Sequence, residues 1–448
     1  MSIDATPGTN TIKESGWSEL IRKEDWWAVW IGLVLVVAAL LFWTAGSSLK
    51  VLTAQISGWS DFPALGGVLS AHLGSIVLLF LTYLILFSIS GSFLHIKVGS
   101  FIGGFALLFA ISVAVNIFSS WSWASQYNLE APIVALVVGL IVGNLLPLAN
   151  WFQSALRTEL YVKTGIVLLG ATLPFTLIIQ AGPVAFLQAT VISVITFLVI
   201  YFVGTRWFGL DKRFAATLGV GGSVCGVSAS IAVGGAVKAK KEHVSISISL
   251  VVIWAVAAIF LLTLLIKWFG IPAGPAGAWI GTSEFADAAG VTAASTFGDH
   301  ALNAFTLMKV IGRDIFIGVW CFVLAFISIT VWENQKAGTH ADASEIWRRF
   351  PKFIIGFFAV SLLLTIVIAA SSLSARTVIN SDVIAPIKEF RTWAFTFTFL
   401  SIGLTTRFKE LAAFGWKPFA TFSTGAVVNI VLGYVLSVLL LHNFWVAL

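Results

Sequence analysis

Two cations four positions apart, Lys309 and Arg313, lie with Asp314 inside the apolar run Leu302–Val331. That spacing puts both on one face of a helix. A cation at membrane depth needs an acidic or anionic partner, because an unpaired buried charge is strongly disfavoured. The nearest upstream acids are Glu284 and Asp287, in the small-residue segment GTSEFADAAGVTAASTFGDH from Gly281 to His300. They are about one turn apart and expected on a shared helix face. Either acid can pair with the cations internally, and a bound anion can do so in turnover. The competing reading has Lys309 and Arg313 snorkelling from a helix end to the cytoplasmic interface. Ionisable groups within a membrane commonly mark ion or proton coupling, the role expected of Glu284 and Asp287.

A second stretch, GVGGSVCGVSASIAVGGAVKAKK from Gly219 to Lys241, separates two long apolar runs and carries glycine at 219, 221, 222, 226, 234 and 235. Glycine weakens a continuous helix, and Ser223, Cys225, Ser228 and Ser230 put small polar groups where lipid favours leucine. Interrupted backbone at membrane depth survives only where protein buries it or where it lines a wet cavity. The freed amides and half-helix N-termini of such an interruption suit an anion. A tight small-residue interface between two membrane helices explains the same composition without a ligand.

Other chemistries find little foothold. The histidines at 72, 95, 243, 300, 340 and 442 are scattered, with neither HExxH nor metal-ligand spacing. No GxxxxGK[ST] loop occurs, and Gly219–Gly226 lacks the strand and acidic ribose partner of a dinucleotide site. Cys225 and Cys321 give no disulfide framework. An enzyme would have to combine Cys225 with a distant histidine. No catalytic residue, metal or cofactor is expected, apart from coupling to sodium or protons.

The elements that position these groups must be membrane helices. The 448-residue chain is 58% hydrophobic and 10% charged, with mean hydropathy +0.98, a balance that excludes a water-soluble domain. Candidate spans run Trp27–Ala45, Gly67–Ile89, Phe101–Ser119, Ala131–Leu148, Leu160–Ile179, Val184–Val203 and Phe214–Val237. Ser245–Trp268, Ala276–Phe297, Leu302–Val331, Phe353–Ala370, Phe395–Leu404 with its flanks, and Phe419–Leu441 complete them. That makes about thirteen segments near the bilayer length. Many of the 19 tryptophans stand near run ends, as rings settling at headgroup level do. Residues 1–13 read as a tail. Trp17, Leu20 and Ile21 fall at helical spacing within Glu14–Asp25, which reads as a surface helix or a solvated leader. The N-terminus lacks the apolar core of a cleaved signal peptide, so the first span is expected to direct insertion.

The net charge of +6 resides in short loops and reflects positive-inside topology rather than nucleic-acid binding. Lys13, Arg22 and Lys23, then Arg206, Lys212 and Arg213, then Lys336, Arg348, Arg349 and Lys352 place the N-terminus in the cytoplasm, while 120–132 is free of Lys and Arg. Strict alternation sends Lys238, Lys240 and Lys241 outside, so either Phe214–Val237 re-enters on its own side or a span is miscounted. A repeat is also legible: LRTELYVKTGIVLLGATLPFTLIIQAG from Leu156 parallels FRTWAFTFTFLSIGLTTRFKELAAFG from Phe390. Gly170 pairs with Gly403, Thr172 with Thr405, Phe175 with Phe408 and Gly182 with Gly415 at one constant offset. The copies begin an odd number of spans apart, which makes them inverted in the membrane.

VCGVSAS, GTSEFADAAGVTAAS with the following KVIGRD, VVGLIVGNLLPL from Val137, and SIGLTTRFKELAAFGWKP together resemble the YeiH-type sulfate exporter family, over roughly Ala131–Leu441. The resemblance implies a bacterial cytoplasmic-membrane transporter of bile acid:sodium symporter-like architecture, with inverted repeats and crossed, broken helices. Ser223, Cys225, Gly226 and Ser228 would then belong to one discontinuous helix, and Thr282, Ser283, Glu284 and Asp287 to a facing one. The first 130 residues fit the family less clearly.

The expectation is an all-α polytopic membrane protein with inverted repeats and discontinuous helices. It has a leader at 1–26, N-terminal spans at 27–130 for scaffold or dimerisation, and a transporter core at 131–448. The expected function is secondary transport, in the export direction, of a small anion such as sulfate, another oxyanion or an organosulfonate. Ser223, Cys225, Gly226, Ser228, Thr282, Ser283, Lys309 and Arg313 would bind it. A sodium- or proton-coupled carboxylate or amino acid transporter, or an anion channel, are the alternatives. Partners would be the solute, the lipid bilayer and a second copy in a homodimer, with no nucleic acid.

Overall fold

The computed structural model describes residues 16–126, 131–314, 316–332, 351–407 and 415–448. Regular structure there is helical, and the only β feature among the described residues is one bridge between Trp59 and Trp121. Eight helices among the described residues are long and apolar enough to cross a bilayer, which makes the chain a polytopic all-α membrane protein.

Helix α1 (Gly16–Arg22) leads into α2 (Glu24–Thr44), whose first turn carries Glu24 and Asp25, acids that complement the positive end of a helix. The Trp27 and Trp30 indoles donate to the Ile21 and Leu20 carbonyls at 2.8 and 3.0 Å and tie the two helices together. α3 (Phe62–Phe93) starts at Asp61, whose carboxylate accepts the Ala64 amide at 2.8 Å. Along α3, Leu73, Val77, Leu81, Ile85 and Ile89 recur every fourth residue and are exposed, whereas Ile76, Leu79, Tyr83 and Phe87 are buried. Such an outward apolar stripe is unfavourable in water and matches lipid. α4 (Val98–Ser119), α5 (Ala131–Leu145), α6 (Thr158–Leu169) and α7 (Phe175–Phe202) follow.

The expected spans Leu160–Ile179 and Val184–Val203 are redistributed: the first divides at 170–174 between α6 and α7, and the second lies inside α7 up to Phe202, with Val203 opening the π-helical turn that follows. Two further expected spans do not cross at all. Phe214–Val237 folds as α8 (Lys212–Ser223) and α9 (Val227–Ala236), antiparallel to each other. At the base of this hairpin Arg213 donates to the Lys238 carbonyl at 3.3 Å. Higher up, a Cβ on Gly234 would lie 3.5 Å from Thr217 Cγ2, and one on Gly221 only 2.5 Å from Ser230 Oγ. The glycines therefore serve close helix packing as well as the interruption. The chain returns to the side it came from, which removes the charge conflict at 238–241.

After α10 (Lys241–Phe269), closed by Gly270 in the left-handed region at φ 62°, the expected span Ala276–Phe297 folds the same way. It comprises α11 (Ala273–Ser283) and α12 (Asp287–Ser295), packed on α13 (Gly298–Thr306). Near the base, a Cβ on Gly274 would sit 3.3 Å from the His300 ring, and α12 ends three residues before Gly298. A π-helical stretch, Leu307–Asp314, continues α13, and α14 (Phe316–Ile327), α15 (Phe353–Ala370), α16 (Ala385–Thr405) and α17 (Trp416–Tyr434) complete the set.

Helix α7 sets the geometry of the hairpins. It has 28 residues, about 42 Å at 1.5 Å per residue. The first hairpin springs from its C-terminal end, past Val203–Trp207. The second springs from its N-terminal end, where Asp299 shares a cavity with Pro174 and Thr176. The hairpins thus enter from opposite ends of one membrane helix.

Lys13, Lys336, Arg348 and Arg349 of the charge argument lie outside the described residues, as does Phe408 of the repeat. At the paired positions Gly170 and Gly403, a Cβ would fall 2.4 Å from the Phe357 and Leu136 carbonyl oxygens respectively, so both glycines mark close helix contacts.

Candidate functional site

The two hairpin tips touch. The first tip, Val224–Cys225–Gly226, reverses the chain through Val224 at φ −119°, ψ −105° and Gly226 at φ 72°, ψ −108°. A side chain at 226 is excluded twice over: positive φ disfavours it, and a Cβ would lie 2.2 Å from the Phe285 carbonyl oxygen and 2.6 Å from Val251 Cγ1. Phe285 belongs to the second tip, where Glu284 and Ala286 are extended (φ −82°, ψ 136° and φ −128°, ψ 141°). The expectation that Glu284 and Asp287 share a helix face therefore fails. Glu284 closes α11 and Asp287 opens α12, with the chain leaving the helix between them.

Lys309 and Arg313 are fully buried and do not snorkel. Both bind backbone carbonyls at the C-terminal ends of the half-helices, where the partial negative charge of each helix collects. Lys309 Nζ donates to the Val224 carbonyl at 2.8 Å and the Glu284 carbonyl at 3.1 Å, and lies 3.7 Å from the Asp287 carboxylate. Arg313 donates through Nε to the Ser223 carbonyl at 3.2 Å. Its Nη1 donates to the carbonyls of Gly281, Thr282 and Glu284 at 3.2, 2.5 and 3.1 Å. Each cation thereby fastens one tip to the other. With the C-terminal ends of α8 and α11 occupied, the N-terminal end of α9 is left without a side-chain cap.

That end borders a cavity of about 200 Å³ lined by Cys225, Ser228, Asp287, Asp314, Asp25 and Lys163, together with residues of α14, α15 and the segment before it. At ~30 Å³ per water it has room for about six waters. Lys163 donates to Asp25 at 2.8 Å. Asp314 is fully buried, and neither of its carboxylate oxygens has a hydrogen-bond partner among the described residues. Glu284 Oε2, Ser223 Oγ and Arg313 Nη2 are likewise unpartnered. Buried polar groups normally find partners, so these atoms hold hydrogen-bonding capacity that the described residues leave unused.

The remaining expected site residues divide. Thr282 and Ser283 turn away from the tips toward α17: a Cβ on Gly433 would meet their hydroxyl oxygens at 2.5 and 2.4 Å. Thr282 also donates to the Trp279 carbonyl at 2.8 Å. Asp25, Lys163 and Asp314 join the cavity without having been singled out for it. Asp25 sits at a span boundary and Lys163 in a helix of ordinary pattern, so their sequence neighbourhood gave no signal.

A second pair of cavities lies beyond the other end of α12. One, of about 330 Å³, is bordered by Ser295, Asp299, Lys388 and Arg391, and its neighbour of about 590 Å³ shares Asp299 and Lys388. Asp299 pairs with Lys388 and, at 2.9 Å, with the nearly buried Arg391, which also donates to Thr172 at 3.0 Å. Helix α12 is nine residues long, about 13 Å. Its first residue, Asp287, lines the acidic cavity and its last, Ser295, the basic cavity of about 330 Å³.

Fold and site together define a polytopic helical membrane protein with two opposed re-entrant hairpins. The family model described as conserved hypothetical protein 698 matches residues 103–422, and the chain belongs to this family, the YeiH-type membrane proteins. A UPF0324 membrane protein of Rhodopirellula baltica is 32% identical over 88% of this chain and 72% of its own length. One of Nitratidesulfovibrio vulgaris is 31% identical over 77% of this chain, which spans 60% of that relative. A UPF0324 membrane protein of Nitrosomonas europaea is 28% identical over 91% of this chain and 93% of its own. No solved structure matches the chain.

Proposed function

We propose that the protein is a secondary active transporter that moves a small anion, such as sulfate, a related oxyanion or an organosulfonate, by alternating access past the hairpin tips. The observation that carries this reading is the pair of hairpins entering from opposite ends of α7 and meeting tip to tip, with cavities of about 200 and 330 Å³ at the two ends of the nine-residue α12. Irregular backbone at membrane depth belongs at such a site. The uncapped α9 N-terminus, with exposed Ser228, supplies amides for an anion.

Asp287 and Asp314 border the same cavity, so an anion enters favourably only when carboxyl charge is neutralised, which makes protons the coupling ion. The unpartnered Asp314 carboxylate also favours a second reading, a zwitterionic amino acid whose ammonium meets it. The basic residues Arg22, Lys23, Arg206, Lys212, Arg213 and Lys240 support a cytoplasmic N-terminus in a bacterial inner membrane. The paired segments at Leu156 and Phe390 belong to this reading as inverted repeats, and residues 27–130 as scaffold or dimer surface.

Proteoliposomes given radiolabelled sulfate, sulfonates or amino acids under an imposed pH gradient test it. Saturable counterflow that loses its pH response in Asp314→Asn is expected. Absence of flux for every solute under every gradient, with the protein demonstrably folded, refutes it, and unsaturable flux points to a channel.

A further inference from the structure

Lys309 reaches both hairpin tips through a single nitrogen. Its surroundings are two backbone carbonyls, Val224 of one tip and Glu284 of the other, and the Asp287 carboxylate. This is an all-oxygen ligand set with one negative charge, the composition that binds hard cations. The two carbonyl distances of 2.8 and 3.1 Å exceed the roughly 2.3–2.6 Å of calcium–oxygen bonds and suit a large monovalent ion, while the Asp287 carboxylate at 3.7 Å stands off as counter-charge and closes in only if its side chain moves. In transporters with interrupted helices, freed carbonyls of this kind hold the coupling sodium. Here an ammonium on a four-carbon stem stands in that position. Arg313 takes the carbonyls of Ser223, Gly281 and Thr282, which would otherwise compete for an ion, and shares the Glu284 carbonyl, whose second lone pair is left for the cage.

We propose that the Lys309 ammonium is a tethered substitute for an alkali-metal ion, and that the oxygen cage it fills takes a free monovalent cation once the ammonium is removed. An entry path exists: the Asp287 side chain is 16% exposed and borders the 200 Å³ cavity. The wild-type chain accordingly binds no sodium at the tips. On the transport reading given above, solute movement is then sodium-independent and coupling falls to the carboxyls. The cage itself does not depend on that reading.

The test is thermal unfolding of the full chain in lipid nanodiscs, followed by tryptophan fluorescence, in lithium, sodium, potassium or choline chloride at constant ionic strength. Wild type is expected to melt at one temperature in all four salts. Lys309→Ala melts lower in choline and is raised saturably by at least one alkali ion, by about 3–5 °C at a hundredfold excess over Kd. Adding Asp287→Asn removes that gain. A saturable alkali response in wild type overturns the proposal, as does a folded Lys309→Ala that responds to none. If Lys309→Ala cannot be recovered in choline, recovery in an alkali salt supports the cage, and failure in every salt while Lys309→Arg folds normally overturns it. Because the readout is binding, a failed flux assay leaves this result standing.

Discussion

Gly226→Ala is the sharpest perturbation of the hairpin junction. Two independent costs apply. The backbone at φ 72°, ψ −108° lies where only glycine is comfortable, which costs an L-residue about 1–3 kcal/mol. The new methyl would also sit 2.2 Å from the Phe285 carbonyl oxygen and 2.6 Å from Val251 Cγ1. Backbone cannot swing aside as a flexible side chain can, so overpacking adds about 1–3 kcal/mol. The total is about 2–6 kcal/mol, and at roughly 1–2 °C per kcal/mol for a chain of this size the melting temperature should fall by about 2–12 °C.

Gly74→Ala is the matched control. Gly74 lies within α3, nothing stands within 4 Å of its Cβ position, and the substitution should stabilise by up to about 1 kcal/mol. Val251→Ala added to Gly226→Ala relieves the contact at Cγ1 but not the backbone conformation, so it should recover only part of the loss. Fluorescence-detected melting in nanodiscs reads all four proteins. Gly226→Ala melting within a degree of wild type would mean that the tips are not in contact as described.

Asp299→Asn leaves Arg391, which is 3% exposed, without its carboxylate. Since Asp299 itself is 43% exposed, a loss of about 1–3 kcal/mol is expected, below the 3–5 of a fully buried pair; denaturant midpoints check it, and an unchanged midpoint rejects the pairing. Cys225 borders the acidic cavity while Cys321 is wholly buried. A small thiol reagent should therefore modify Cys225 and spare Cys321, as peptide mass mapping reports. A bound solute should slow the reaction at Cys225, and equal labelling of both thiols would deny the cavity its opening.

The membrane class was legible because a run of about 20 apolar residues has few other uses. An interruption in this glycine-rich stretch was legible too, although the helix runs on through Gly219, Gly221 and Gly222 and breaks only at Val224–Gly226. The return of the chain was not, since α8 and α9 together are long enough to cross and apolar periodicity carries no sign of direction. Only the misplaced lysines at 238–241 signalled it. The second tip was harder still: Ser283-Glu284-Phe285-Ala286-Asp287 contains neither glycine nor proline to mark the exit from the helix. Lys309 and Arg313 were paired correctly from their spacing, yet their partners are backbone carbonyls, which no residue type announces.

The π-helical winding of Leu307–Asp314 has a mechanical consequence. Its wider turn, with hydrogen bonds reaching five residues along, sets the angle at which Lys309 and Arg313 leave the helix. Tightening that turn to ordinary α pitch would rotate one cation about the axis relative to the other, so that both could no longer hold the same carbonyls. Any change of pitch there would therefore bear on both hairpins together, since Lys309 and Arg313 hold both tips from this one segment.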